Sequence, residues 1–318
     1  MYTFLIGATP INQFHISYTR SVWLVFALIF PFLFAAVYVI DSYCVGEIFE
    51  KPILGMIVSS IASLAVFLPL PFILPLLSFS NVTWQIMGAG VCSGIIIQVC
   101  QALYFESLDH SDSGIVSAYW NMISAFVPLS SYFLFKEILN PAQYIGISIL
   151  IASSVCISII DSYLNSKIRS FFLIFLASWL YVVAVFLMDW LFANVQFYVG
   201  FLFITTGIII TGLFPLLFIG VSNTFKRNLV VLYPKRKLFI CIELLNLMAH
   251  GFFQLALKFG TASLVSSMET LTPAYAIIIA LLFKRFSRIK LKESTFKHIP
   301  IKFFFVGTMV VGVLLIAA

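Results

Sequence analysis

The chain has 318 residues, 62% of them hydrophobic and 9% charged, with mean hydropathy +1.10. Soluble domains carry about 25% charged residues, so this chain cannot cover itself with a solvated surface and is read as a polytopic membrane protein. The formal net charge of +6 does not point to nucleic acid, because the basic residues sit in short loops between apolar runs, the usual mark of membrane orientation.

Residues 1–20 (MYTFLIGATPINQFHISYTR) form an N-terminal segment with neither a basic start nor a continuous apolar run. No cleavable signal peptide is expected there, and the first span serves as the insertion signal. Apolar runs long enough to cross a bilayer follow at 21–40, 53–77, 84–106, 113–135 and 142–161. A second set follows at 170–190, 198–220, 238–259, 262–283 and 301–318. The expected fold is all-α: ten transmembrane helices in one membrane domain, made of a first five-helix repeat (21–161) and a second (162–318). Five spans per repeat force the halves into opposite orientations, the inverted-repeat design of many carriers. Pro31, Pro69, Pro71, Pro75, Pro128, Pro215 and Pro273 fall inside spans, where neighbouring helices or water must satisfy the carbonyls they free. Gly90 and Gly94 form a GxxxG pair suited to close helix packing.

Loops 221–237 and 284–300 alone are long enough to hold extra structure, and both are basic. Arg20, Lys136 and Lys258 lie on the side of the termini, and the other fifteen of the 18 basic residues lie opposite. The positive-inside rule therefore puts 221–237 and 284–300 in the cytoplasm and both termini outside. The richness in phenylalanine and isoleucine, with compact loops, is read as a bacterial inner-membrane protein. Four of the five cysteines (Cys92, Cys100, Cys156 and Cys241) sit within spans and no CxxC or Cys/His spacing occurs, so neither a disulfide nor a metal site is expected, and no cofactor.

Two stretches 149 positions apart carry the same polar pattern: SLDHSDSGIVSAYWNMIS from Ser107 and ALKFGTASLVSSMETLTP from Ala256. Ser117, Trp120, Asn121 and Ser124 fall opposite Ser266, Glu269, Thr270 and Pro273, each set spanning about 100° of one helix face. These segments resemble the EamA-like ten-helix carriers of the drug/metabolite transporter superfamily. In the first half the resemblance rests on Ser111 to Ser124, the FLFKE run ending in Glu137, and Gln143 and Gly146. In the second half it rests on ALKFGTASLVSSMETLTPAYAIIIALLF, with Glu269 and Pro273 at the family's polar and proline positions. Phe286 replaces the glutamate expected opposite Glu137, and a basic insertion precedes Gly307. The resemblance implies a ten-helix carrier fold and says little of substrate; members typically keep both termini in the cytoplasm, against the charge count made here.

In span 8, Glu243, Asn246, His250 and Gln254 fall within about 80° of one another and form a polar stripe. Gln101 stands opposite His250 in the repeat, with Gln98 on the same side. Spans 3, 4, 8 and 9 are thus expected to share a midplane cavity that binds substrate through Glu269, Trp120, Asn121, Ser117, Ser266, Thr270, Gln98, Gln101, Asn246, His250, Gln254 and Glu243. Interhelical hydrogen bonding serves equally well for Gln98, Gln101, Ser117 and Ser266. Glu269 lies deep in span 9, with no lysine or arginine at like depth, so it should be protonated, hydrated or paired with a bound cation. Glu269, Glu243 and His250 are the candidates for proton coupling. Trp120, Tyr119, Trp179 and Tyr181 lie within spans rather than at the interfacial belt. Trp120 and Glu269 across one cavity suit an organic cation.

The reading is a secondary transporter of a small polar or cationic metabolite (an amino acid, amine or sulfonium compound) working by alternating access. Its partners are that substrate, the bilayer and, if coupled, a proton; a monomer suffices because the chain holds both halves. The other reading is an integral-membrane enzyme on a lipid-linked substrate. Only the turn at Glu106, Asp109, His110 and Asp112 comes near its chemistry, and a solvated acidic turn accounts for those residues better.

Overall fold

The computed structural model describes residues 16–110, 116, 119–161, 168–286 and 298–317. It is all-helical, with no strand among the described residues. In chain order the α-helices are α1 (Ile16–Glu47), α2 (Ile53–Ser63), α3 (Leu70–Ile73), α4 (Trp84–His110), α5 (Ile123–Phe135), α6 (Pro141–Asp161) and α7 (Ile168–Asn194). They continue as α8 (Phe197–Leu213), α9 (Ile219–Leu232), α10 (Arg236–Phe259), α11 (Ala262–Met268), α12 (Thr272–Phe286) and α13 (Ile299–Ala317). Among the described residues, eight stretches are long and apolar enough to cross a membrane, and two shorter apolar helices, Ile123–Phe135 and Pro141–Ile157, stand where spans 4 and 5 were expected.

Proline placement explains where the helices break. Pro69, Pro71 and Pro75 each remove an amide donor, and the stretch after α2 becomes short pieces: 3₁₀ turns at Leu64–Phe67 and Leu74–Leu76 with α3 between. Span 9 is divided into α11 and α12 by a 3₁₀ turn at Glu269–Leu271. Pro273, four residues on, has no N–H to give the Glu269 carbonyl, which instead accepts from the Thr272 hydroxyl (2.7 Å) and amide. The chain also turns at Asn121–Met122, between the helical Tyr119–Trp120 and α5.

α6 starts as its sequence dictates. Asn140 Oδ1 accepts from the Ala142 amide (2.9 Å), Gln143 Oε1 accepts from the Asn140 amide (3.0 Å), and Pro141 occupies the first turn, where no amide is needed. Lys136, at φ 57°, ends α5 in the left-handed region.

The most extensive helix pairings are α4 with α7, α1 with α10, α6 with α13, and α4 with α8. The last is close because of glycine: a Cβ on Gly94 would lie 1.9 Å from the Ile204 carbonyl oxygen, and one on Gly207 2.1 Å from that of Val91. α1 and α10 run antiparallel in a steady register. Phe30 meets Phe253 and Phe34 meets His250, each with ring centroids 5.1 Å apart. Trp23 closes the same register against Gly260. Phe72, Trp84 and Leu217, each more than three-quarters exposed, stand on the outside, where lipid would cover them.

One expected loop is ordered differently. Most of 221–237 is helix: α9 buries Thr224, Asn228 and Leu232 at i, i+4, i+8. Asn228 Nδ2 donates to the Ile48 carbonyl (3.0 Å), and Arg227 pairs with Glu50 (2.6 Å). Much of 284–300 lies outside the described residues.

Candidate functional site

Two polar places occur in the core, and the predicted residues divide between them. The first is a narrow polar cleft with room for little more than a water molecule. α10 contributes Glu243, Asn246, His250 and Gln254; α4 contributes Gln98 and Gln101; α2 adds Ser59 and Ser63; and α8 adds Thr205. The span-8 stripe therefore does face a cavity, but its other walls are spans 2, 3 and 7 rather than 3, 4 and 9. The reason is helix pairing: α4 packs against α8 through glycines, which brings α2 and α8 to the side of α10 that carries the polar stripe.

Several cavity side chains are already engaged. Gln98 Nε2 donates to the Met56 carbonyl (2.9 Å) and the Ser60 hydroxyl (2.8 Å), tying α4 to α2. The amides of Gln101 and Asn246 reach Ser59 Oγ at 3.4 and 3.3 Å. Ser59 and Asn246 also stand within hydrogen-bonding reach of the Glu243 carboxyl. Gln254 is 1% exposed, and its Oε1 has no hydrogen-bond partner among the described residues.

The second place is built around Glu269, in the 3₁₀ turn that Pro273 enforces. The Trp120 indole N–H donates to Glu269 Oε1 at 2.9 Å, while Oε2, buried, has no partner among the described residues. The Trp120 ring packs 5.7 Å from Tyr104 and 5.8 Å from Tyr181. Tyr104 in turn lies 5.4 Å from Tyr38, Tyr38 5.9 Å from Phe34, and Phe34 5.1 Å from the His250 imidazole. A continuous path of aromatic rings thus joins Glu269 to the cavity. No lysine or arginine forms an ion pair with Glu269, Glu243 or Asp41 among the described residues.

The remaining predicted residues hold helices together. Asn121 Nδ2 donates to Ser154 Oγ (2.5 Å) on α6, and Ser124 Oγ to the Ser266 carbonyl (2.8 Å). Ser266 and Thr270 turn their hydroxyls back to the carbonyls of Ser263 (3.3 Å) and Ser267 (2.7 Å). Ser117 lies outside the described residues. Glu137 accepts from Ser263 Oγ (2.6 Å), so the FLFKE run is tied to the start of α11. At the acidic turn, Glu106 forms an exposed ion pair with Arg169 (2.8 Å), and the His110 ring lies 3.4 Å from the same carboxyl; Asp112 lies outside the described residues.

Tyr38, Tyr104, Phe34, Asp41, Ser59 and Thr205 did not stand out in the sequence. Tyr38 and Asp41 stand three positions apart on α1, and their place against α10 is readable only once that pairing is known. No group of three His, Cys, Asp or Glu residues stands together as a metal site among the described residues.

Fold and composition define an integral membrane protein of the α-helical class. A solved crystal structure, of 15% sequence identity, shares this fold with a TM-score of 0.64 over 93% of this chain and 98% of that one. No family model matches the sequence, and no curated protein matches it.

Proposed function

We propose that the chain is a secondary transporter of a small polar or cationic metabolite, built from two inverted five-helix halves that rock about the core around Glu269. The carrying observation is Glu269: 4% exposed, one oxygen held by Trp120, the other unpartnered, with no ion pair to a base among the described residues. A carboxylate kept at that depth is costly and points to a cation or proton that visits it. Packed aromatic rings connect it to the residues that line the cavity on α10.

Several features support two related halves. Both repeats interrupt span 4 or span 9 at the same register, Asn121–Met122 and Glu269–Leu271. The pairing of α4 with α7 is matched by α10 with α1, the pairing an inverted twofold would generate, and α6 meets its counterpart α13. Trp120 and Glu269, equivalent positions 149 residues apart, touch each other, as residues beside such an axis do. The resemblance to EamA-like carriers agrees with this reading. The basic segments 221–237 and 284–300 are proposed to face the cytoplasm.

The test is uptake into proteoliposomes of labelled amines, amino acids, sulfonium compounds and nucleotides, by wild type and Glu269→Gln, with and without a pH gradient. Saturable uptake of a cation that is lost in Glu269→Gln is expected. Unchanged affinity and pH response in that variant would remove Glu269 from the mechanism.

A further inference from the structure

Independently of what the chain carries, we propose that α9 is an interfacial helix. It lies along the membrane surface, and Lys226, Arg236 and Lys237 hold the headgroups of anionic phospholipids against it.

α9 is too short to be a span. Its 14 residues make a helix of about 21 Å, against a hydrocarbon core of roughly 30 Å, and Lys226 and Arg227 stand in its middle. It lies between two 3₁₀ turns, Phe214–Leu217 after α8 and Tyr233–Lys235 before α10. Its inner face rests on the connection between α1 and α2. Asn228 donates to the Ile48 carbonyl, Arg227 pairs with Glu50, and Leu232 packs with Cys44, Ile48 and Phe239. That connection joins the ends of two apolar spans, so α9 stands at the level of the membrane surface.

The outer face is apolar and basic together. Ile219, Asn223, Lys226 and Val230 fall within about 60° of one another, opposite the buried Thr224, Asn228 and Leu232. Ile219 and Val230 are each more than three-quarters exposed, with Leu229 and Val231 exposed beside Val230. Leu217 and Phe218, also exposed, carry the apolar strip back to the lipid-facing end of α8. Water gives such a strip no cover, whereas the acyl boundary of a bilayer does. Lys226 stands among these side chains, where a long stem can lie on apolar surface while the ammonium reaches the headgroups.

Charge selects the lipid. Residues 218–240 hold five basic residues and no acid, so a negative partner is required. Arg227 is paired with Glu50, but no carboxylate pairs with Lys226, Arg236 or Lys237 among the described residues. Arg236 is held in place. Its guanidinium lies 4.5 Å from the centroid of the Tyr233 ring and its Nη1 donates to the Tyr233 carbonyl (3.2 Å), which leaves further N–H groups for a phosphate. Basic residues near an anionic bilayer surface each add to the attraction, and a zwitterionic headgroup carries no net charge to match them. The continuity of the apolar strip with the lipid-facing surface favours the bilayer over a protein partner.

The experiment puts an environment-sensitive fluorophore on Val230→Cys, in a background free of other cysteines, with Phe72→Cys on the outside of the spans as reference. The full chain is reconstituted into equimolar phosphatidylcholine and phosphatidylglycerol, with brominated acyl chains on one lipid or the other as quencher. Quenching at Val230 is expected in both mixtures. The preference for phosphatidylglycerol read from it should exceed that at Phe72 by at least about fivefold, the effect of one basic residue at an anionic surface. It should fall to the Phe72 value when Lys226→Gln, Arg236→Gln and Lys237→Gln are combined, and in high salt without those changes. Folding of the combined variant is checked by size-exclusion chromatography and thermal unfolding, and should it not fold, the salt arm reads the same loss. Quenching with no preference beyond that of Phe72, or a preference that survives both the variant and high salt, would overturn the anionic headgroup site. No quenching by either lipid would overturn the interfacial placement, and shielding from aqueous iodide in that case would show that a protein covers α9 instead.

Discussion

Trp120 and Glu269 occupy equivalent positions of the repeated segment, and in the folded chain the indole N–H of one donates to a carboxyl oxygen of the other at 2.9 Å. A pattern found by comparing two stretches of sequence thus ends as one hydrogen bond in the core. Trp120→Phe would leave both oxygens of Glu269 without a donor. It is expected to cost about 1–3 kcal/mol of stability, read by thermal unfolding in detergent. Trp120→Phe and Glu269→Gln should be non-additive by about 0.5–3 kcal/mol in a double-mutant cycle.

Gly94→Ala should be among the more damaging small changes in the chain. Its Cβ would lie 1.9 Å from the backbone oxygen of Ile204, which cannot move aside without separating α4 from α8. Overpacking of this kind costs about 1–3 kcal/mol or more. Gly88→Ala, on the same helix with nothing within 4 Å of its Cβ, is the control and should leave the melting temperature unchanged. Equal effects of the two would show that the α4–α8 contact is looser than described.

Gln98 was a candidate for substrate binding, but its amide is committed to Met56 and Ser60 on α2. Gln98→Leu is expected to lower stability by about 1 kcal/mol, since hydrogen bonds between membrane helices average about 0.6 kcal/mol each. Substrate affinity should change far less than in Glu269→Gln. A larger loss of affinity than of stability would return Gln98 to the binding site.

The exposed pairs Arg227–Glu50 and Arg169–Glu106 should matter little. Arg227→Ala and Glu50→Ala are each expected to change stability by less than about 1 kcal/mol, less again in high salt. Chemical denaturation at two ionic strengths measures this.

Sidedness is open to a direct measurement. Lys237→Cys, in a background free of other cysteines, should react with a membrane-impermeant maleimide only after cells are opened, if the exposed start of α10 is cytoplasmic. Labelling of intact cells would reverse the orientation and agree with the termini of EamA-like carriers.

Sequence alone determined the membrane class, the positions of the apolar runs and the faces on which polar residues lie. Those are consequences of composition and of helical periodicity, which act locally and need no knowledge of neighbours. Glu243, Asn246, His250 and Gln254 were legible as one stripe for that reason, and Glu269 as a deep acid. Periodicity gives a face and not the helix that meets it. Only the tertiary structure decided that α2 and α8 close the cavity, that Asn121 is spent on Ser154, and that Tyr38 packs between Phe34 and Tyr104. Those contacts depend on glycine-permitted approach of α4 to α8 and on the antiparallel register of α1 with α10, relations between residues far apart in the chain.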